Sequence, residues 1–274
     1  MNLFEKFLYF LQAEMETPEA YGWFHLLCIG IMLSLIVFLF TQRKKYNEKQ
    51  LKVVLGTYGI IAFILELLKQ LIWAFNYDPV TRLVTWDFEW YSFPFQLCST
   101  PIYVSIFCLF LKDTKLRKSL LSYIAFVTIL GSISTIFIPD SCFVSDILVN
   151  IHTMWLHLGS FVVSIYLLMT KEVKPIKENI KRAILVFLIF VVIAEIMNLS
   201  FYNLNIIGDE TFNMFYISPY FISSLPVFDI IQEHVPFILY LLIYIAALSI
   251  GAFIIYLLTK FITYIIVKLN KSNT

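Results

Sequence analysis

Seven runs of uncharged, mostly apolar residues, each set off by charged segments, leave this chain one solvent to fold in. A bilayer core roughly 30 Å thick takes about 20 residues at 1.5 Å per helical residue, and inside hydrocarbon only helices and closed barrels satisfy every backbone polar group. The runs fall near 22–41, 51–75, 93–111, 118–138, 144–169, 183–205 and 235–260. They predict an all-α membrane protein, a seven-transmembrane helix bundle formed by one transmembrane domain over residues 1–274, multi-pass in the cell membrane. The seventh run stays apolar to Val267, which predicts a span followed by a short interfacial helix, with Lys260 and Lys268 reaching the headgroups.

Orientation follows from the basic residues, because Lys and Arg accumulate in short cytoplasmic loops while acidic residues count for little. Arg43, Lys44, Lys45, Lys49 and Lys52 fill the first connection, Lys112, Lys115, Arg117 and Lys118 the third, and Lys171, Lys174, Lys177, Lys181 and Arg182 the fifth. Lys260, Lys268 and Lys271 follow in the tail, so all but Lys6, Lys69 and Arg82 of the 20 basic residues lie on one side. The amino terminus is therefore expected outside and the carboxyl terminus inside. Glu5, Glu14, Glu16 and Glu19 against Lys6 are the opposite of a basic secretory leader, so the first span is expected to be retained.

A formal net charge of +1 offers no basic field for nucleic acid. No phosphate loop, zinc triad or serine elbow is present, and Cys28, Cys98, Cys108 and Cys142 lack metal-ligand spacing, so neither cofactor nor metal is expected. The segment 206–234 is long, lacks Lys and Arg, and carries Phe212, Met214, Phe215, Tyr216, Tyr220, Phe221 and Phe228. It reads equally as a lid dipping toward the outer leaflet and as an aromatic belt anchoring spans six and seven.

Ionisable groups inside spans are costly and usually face the bundle interior. Counted from the outer end of each span at ~1.5 Å per residue, His25 lies ~5 Å deep, Cys98 ~8 Å, Asn198 ~11 Å, His152 ~12 Å, Glu66 ~13 Å and Glu195 ~15 Å. Five helices thus contribute to one layer, predicting a polar pocket open to the outside. His157, ~20 Å deep, is turned about 140° from His152, so only one of the two faces the pocket centre, and depth favours His152. Lys69, one turn after Glu66, makes a neutralised structural pair an equal account of Glu66. His25 reads equally as an interfacial residue. Cys98 with a fifth-span histidine, oriented by Glu66, Glu195 or Asn198, fits the needs of an activated thiol, while a small buried packing residue is the plainer account of any cysteine. Pro94 suits a helix start, which would set Cys98 one turn inside the helix, near the positive end of its dipole.

These residues also carry a resemblance. Glu66 and Trp73 in the segment LELLKQLIW, then Phe93-Pro94-Phe95-Gln96-Leu97-Cys98, resemble the acidic helix and L-P-L-x-L-C motif of the YwaF-like bacterial membrane proteins, related to eukaryotic transmembrane protein 164. Ile138-Pro139-Asp140 is similar to that family's T-P-D turn, His157 and His25 to its histidines, and Asn198, Ser218-Pro219 and Tyr240 to its N…K-P…Y pattern, with Ser218 where a lysine is usual. The resemblance implies a seven-helix protein whose eukaryotic members are cysteine-dependent acyltransferases of ether phospholipids, in lipid metabolism. It implies Cys98 as nucleophile and favours His157 as base, so both histidines stay open, with Asp140 at the pocket rim. The expected function is an acyl-transferring or lipid-modifying enzyme with membrane lipids as partners. The alternative is a transporter or ligand-binding protein without catalysis; whether copies form a homo-oligomer is left open.

Overall fold

The structure, a computed structural model, describes residues 1–139 and 142–272. Asp140 therefore lies outside the described residues. Helices α1 (Leu3–Leu11), α2 (Trp23–Gln42) and α3 (Glu48–Ala74) come first, then a two-stranded antiparallel hairpin, β1 (Phe75–Tyr77) and β2 (Val84–Trp86). Next are α4 (Thr100–Phe110), α5 (Lys115–Tyr123), α6 (Ile129–Phe137), α7 (Ile147–Met169), α8 (Lys177–Asn203), α9 (Phe228–His234) and α10 (Phe237–Ser272). Among the described residues, six helices are long and apolar enough to cross a membrane: Trp23–Lys45, Glu48–Ala74, Lys115–Phe137, Ile147–Met169, Lys177–Asn203 and Phe237–Leu269.

The boundaries have local causes. Asn47 caps α3 by accepting from the Gln50 amide at 3.0 Å, and Glu48 favours the positive end of the helix dipole. Asn2 and Glu5 form a reciprocal capping box on α1. Gln12 then ties α1 to the end of α3, donating to the carbonyls of Ile72 and Phe75, both at 2.7 Å. Leu8 is buried beneath α1 while Leu3 and Phe10 stay exposed, as in a helix lying across a membrane interface.

Two expectations about the spans need correction. The third run, 93–111, is not one helix: only Thr100–Phe110 is helical, 11 residues, and residues 93–99 descend as turns. Two prolines set this. Pro94 cannot donate and biases Phe93 away from helix, while Pro101, in the first turn of α4, is where a proline best starts one. The seventh run does not break near Lys260 but continues as a single 36-residue helix. Nothing from Ala252 onward is Gly or Pro, and Thr259 and Thr263 bond back to the carbonyls four residues earlier, both at 2.8 Å.

At the centre runs Lys115–Phe137, in which a π turn at Ile124–Thr128 joins α5 to α6. The turn frees the Ile124 carbonyl, and Ser164 of α7 takes it at 2.8 Å. The core gathers around this helix from α3, α4, α7, α8, α10 and, unexpectedly, the segment between α8 and α9. Close approaches are made by glycine: a Cβ on Gly159 would stand 2.8 Å from the Tyr58 ring, and one on Gly59 would stand 3.0 Å from Ile106.

Candidate functional site

On α3, Glu66 is almost fully buried and gathers three partners. Lys69 Nζ lies 2.7 Å from Oε1, Gln70 Nε2 donates to the same oxygen at 2.8 Å, and His152 Nε2 on α7 lies 2.8 Å from Oε2. The last contact is close but off the axis of an aligned hydrogen bond. Gln70 also donates to the Ser92 carbonyl at 2.7 Å, tying the cluster to the turn that leads into the third run. His152 Nδ1 is buried with no hydrogen-bond partner, leaving one face of the ring available. Glu66 thus pairs with Lys69, as the structural account had it, and also contacts a fifth-span histidine.

Cys98 sits outside α4, correcting the expectation that it lies one turn within a helix. Ser99 is the N-cap, and the cysteine precedes it in a turn closed by Ser99 N–H to the Gln96 carbonyl at 2.9 Å. Cys98 thus stands just before the amino end of α4, where unpaired amides concentrate positive potential. Thr100 locks this turn by donating to the Leu97 carbonyl at 2.8 Å and by sharing a 2.6 Å hydrogen bond with the Tyr123 hydroxyl. Glu66, Lys69 and Cys142 are all within electrostatic range of the half-buried Cys98 thiol. So are the phenols of Tyr58, Tyr123, Tyr216 and Tyr244. The Tyr244 hydroxyl is buried without a hydrogen-bond partner.

The other sequence-predicted residues have distinct places. His157 is turned away from His152 around α7 and faces α6, its ring directed at the Gly131 carbonyl, though the two imidazoles still sense each other. His25 is fully buried and accepts from the Tyr21 amide at 3.2 Å, packing edge-on to Phe143; it closes the turn before α2 and is not bonded to the Glu66 cluster. Glu195 lies one turn before Asn198 on α8, its carboxyl directed at that amide.

Asn198 does something the sequence did not suggest. Its Oδ1 accepts from the Met214 N–H at 2.7 Å and its Nδ2 donates to the Met214 carbonyl at 3.1 Å. The segment 212–218 turns into the bundle as a plug, with Phe212, Met214, Phe215, Ile217 and Ser218 buried. Phe215 and Tyr216 have φ of 58° and 59°, strained for residues with a Cβ. The strain is held by side chains: Gln96 accepts from the Phe215 amide at 2.7 Å and donates to the Asn213 carbonyl at 2.9 Å, and Tyr240 donates to the Tyr216 carbonyl at 2.6 Å. Irregular backbone at this depth survives because each of these groups has a protein partner. Gln96, two residues before Cys98 in the same short turn, was missed; its one signal was an amide inside an apolar run. Among the described residues, no group of His, Cys, Asp and Glu side chains converges as a metal site.

A model of the TMEM164 family matches residues 18–262, nearly the whole chain. The chain belongs to the TMEM164 family. Neither a curated protein nor a solved structure matches it. The match takes in five of the six spanning helices whole and the sixth as far as residue 262, with the Cys98 turn and the plug, and leaves α1 before its start. Three of the elements quoted for the resemblance meet at the plug within this TMEM164-family fold: Asn198 and Tyr240 grip it, and the Cys98 turn grips it through Gln96.

Proposed function

We propose that this TMEM164-family chain is a thiol-dependent acyltransferase of membrane phospholipids, with Cys98 as nucleophile. The observation that carries the proposal is the position of Cys98: at the amino end of α4, in a turn tied to the plug, and within electrostatic range of the buried Glu66–Lys69 pair whose carboxylate also holds His152. In the first step, Sγ attacks the carbonyl of a phospholipid ester, a C–S bond forms, and the ester C–O bond breaks. The thiol proton passes through a histidine to the departing lysophospholipid oxygen. In the second step, a lipid hydroxyl attacks the thioester carbonyl, a C–O bond forms and the C–S bond breaks, the hydroxyl proton returns to Sγ by the same histidine, and the new ester leaves. His152, oriented by Glu66, is the base this geometry favours; His157, favoured by the resemblance, is the other. Buried phenols near Cys98 are suited to hydrogen-bond the tetrahedral oxyanion.

The topology proposed with this function has seven crossings, the amino terminus outside the cell and the carboxyl terminus inside. Parity supports the seventh: α3 leaves the basic side, α5 starts on it at Lys115, and residues 93–110 must return the chain between them. The polar layer then opens toward the outer leaflet of the cell membrane.

The test is a trapped acyl-enzyme. Purified protein mixed with phospholipid and quenched in acid should gain one acyl mass on the peptide containing Cys98, removable by neutral hydroxylamine. A wild-type peptide that never acylates, under conditions where lipid exchange proceeds, contradicts a Cys98 intermediate.

The Glu66–Lys69–His152 cluster favours a second account, a transporter or receptor for a small polar ligand, since buried ionisable groups also mark transport paths. Cys98→Ser should then leave transport intact while Glu66→Gln alters its proton dependence; an acyltransferase shows the reverse.

A further inference from the structure

We propose that the cleft between α2, α3 and α7, together with the α2–α3 connection and the first turn of α3, binds one anionic phospholipid, its acyl chain in the cleft and its phosphate on the lysines of that connection and turn. The cleft encloses about 540 Å³ and is walled by apolar side chains, from Phe24 at one end to Phe38 and Val53 at the other. Its walls include the core residues Tyr58, Met154, Leu158 and Val163, and Tyr58 is the lining residue it shares with the surroundings of Cys98, which does not itself line it. Leu27 and Ile31 on its α2 wall remain about half exposed, so it opens sideways onto the surface that meets lipid. An apolar void of this size loses dispersion contact with any partner, and water finds too few polar partners to fill it. In a bilayer, a hydrocarbon chain is the occupant at hand.

Charge decides which lipid. The cleft's lower wall ends at Leu39, about 6 Å along the helix from Arg43. There the α2–α3 connection carries Arg43, Lys44 and Lys45, and the start of α3 carries Lys49 and Lys52. The acidic groups nearby are already engaged. Glu48 lies 2.9 Å from the buried Arg117 and 3.9 Å from Lys52, and Glu172 accepts a hydrogen bond from the Tyr46 hydroxyl. Arg43 is held over the Phe40 ring and donates to the Phe40 carbonyl at 2.7 Å. Lys44, Lys45 and Lys49 are exposed and, among the described residues, form no ion pair. An apolar slot ending beside three uncommitted cations matches a lipid with a negatively charged head, in the leaflet that the proposed orientation makes cytoplasmic.

The experiment is native mass spectrometry of the purified full chain titrated with phosphatidylglycerol or phosphatidylcholine of identical acyl chains. Phosphatidylglycerol adducts should exceed phosphatidylcholine adducts about tenfold. Lys44→Gln/Lys45→Gln/Lys49→Gln, changed only at exposed positions of the connection and the first turn of α3, should abolish that preference while leaving the phosphatidylcholine adduct unchanged. Leu35→Trp or Thr57→Trp, filling the slot, should weaken both lipids alike, each variant being first checked for unaltered helicity and elution volume. Equal binding of the two lipids by the wild type, a preference that survives the triple substitution, or folded Trp variants that bind as the wild type does would each overturn the proposal.

Discussion

Asn198 of α8 holds both backbone polar groups of Met214, the N–H at 2.7 Å and the carbonyl at 3.1 Å, and so fixes a strained loop inside the bundle. Asn198→Ala strands two buried backbone groups, each costing roughly 1–3 kcal/mol. The expected loss is about 2–6 kcal/mol if the plug stays in place. If the plug swings out instead, amides 212–218 should lose hydrogen-exchange protection while those of α7 keep theirs. Melting in detergent and exchange mass spectrometry together read both; wild-type values in both would show that Asn198 does not hold the segment.

Glu66 is expected to matter more when removed alone than with its partner. Glu66→Leu leaves Lys69 and His152 buried without their carboxylate, a change of about 3–5 kcal/mol, whereas Glu66→Leu/Lys69→Leu removes the uncompensated cation. The double variant should melt above the single one. The opposite order would mean that Lys69 already reaches water or headgroups.

A graded alanine series checks the helix contacts. Gly159→Ala drives a Cβ to 2.8 Å from the Tyr58 ring, which is itself pinned by its hydroxyl to the Leu156 carbonyl, so overpacking of about 1–3 kcal/mol is expected. Gly251→Ala meets only the mobile end of Leu130, at 2.9 Å, and should cost less. Gly30→Ala meets nothing within 4 Å on an exposed helix face and should be neutral or stabilising by up to about 1 kcal/mol. Thermal shifts out of that order would dispute the α3–α7 approach.

The hairpin that follows α3 has a pH-sensitive turn. Hydrogen bonds from the Thr81 hydroxyl and the Val80 amide hold the Asp78 carboxyl below the usual aspartate range. A folded-state value below the unfolded one gives order that is present above the ordinary aspartate pKa, ~4, and lost as pH falls through the folded value. Amide exchange at Val80 and Leu83, corrected for its intrinsic pH dependence, should quicken on acidification below that range, and Asp78→Ala should show quick exchange at every pH.

Most of the helical framework was legible because hydrocarbon imposes a local requirement: an uncharged run near 20 residues long must be a helix, and α2, α3, α7 and α8 lie close to where those runs fall. What stayed illegible depends on partners far along the chain. Residues 93–99 are as apolar as a span, yet Pro94 and Pro101 bracket a turn whose Gln96 is satisfied by residues 213 and 215. The plug hid in a stretch that an aromatic belt explained equally well, because burial of Phe212 and Phe215 is decided by Asn198, Gln96 and Tyr240 and not by local pattern. Within the candidate site, depth along the helices brought Glu66 and His152 to the same level, and the structure pairs them. The same reckoning grouped Asn198 and His25 with them, although one grips the plug and the other closes the turn before α2.

The most direct measurement is phospholipid acyl exchange by the purified protein in vesicles, followed by mass spectrometry of the lipids, for wild type, Cys98→Ala, His152→Ala and His157→Ala. The proposed chemistry predicts exchange by the wild type, its disappearance in Cys98→Ala, and a fall of at least about a hundredfold in one of the two histidine variants, most directly His152→Ala. Undiminished exchange by a folded Cys98→Ala protein would contradict it.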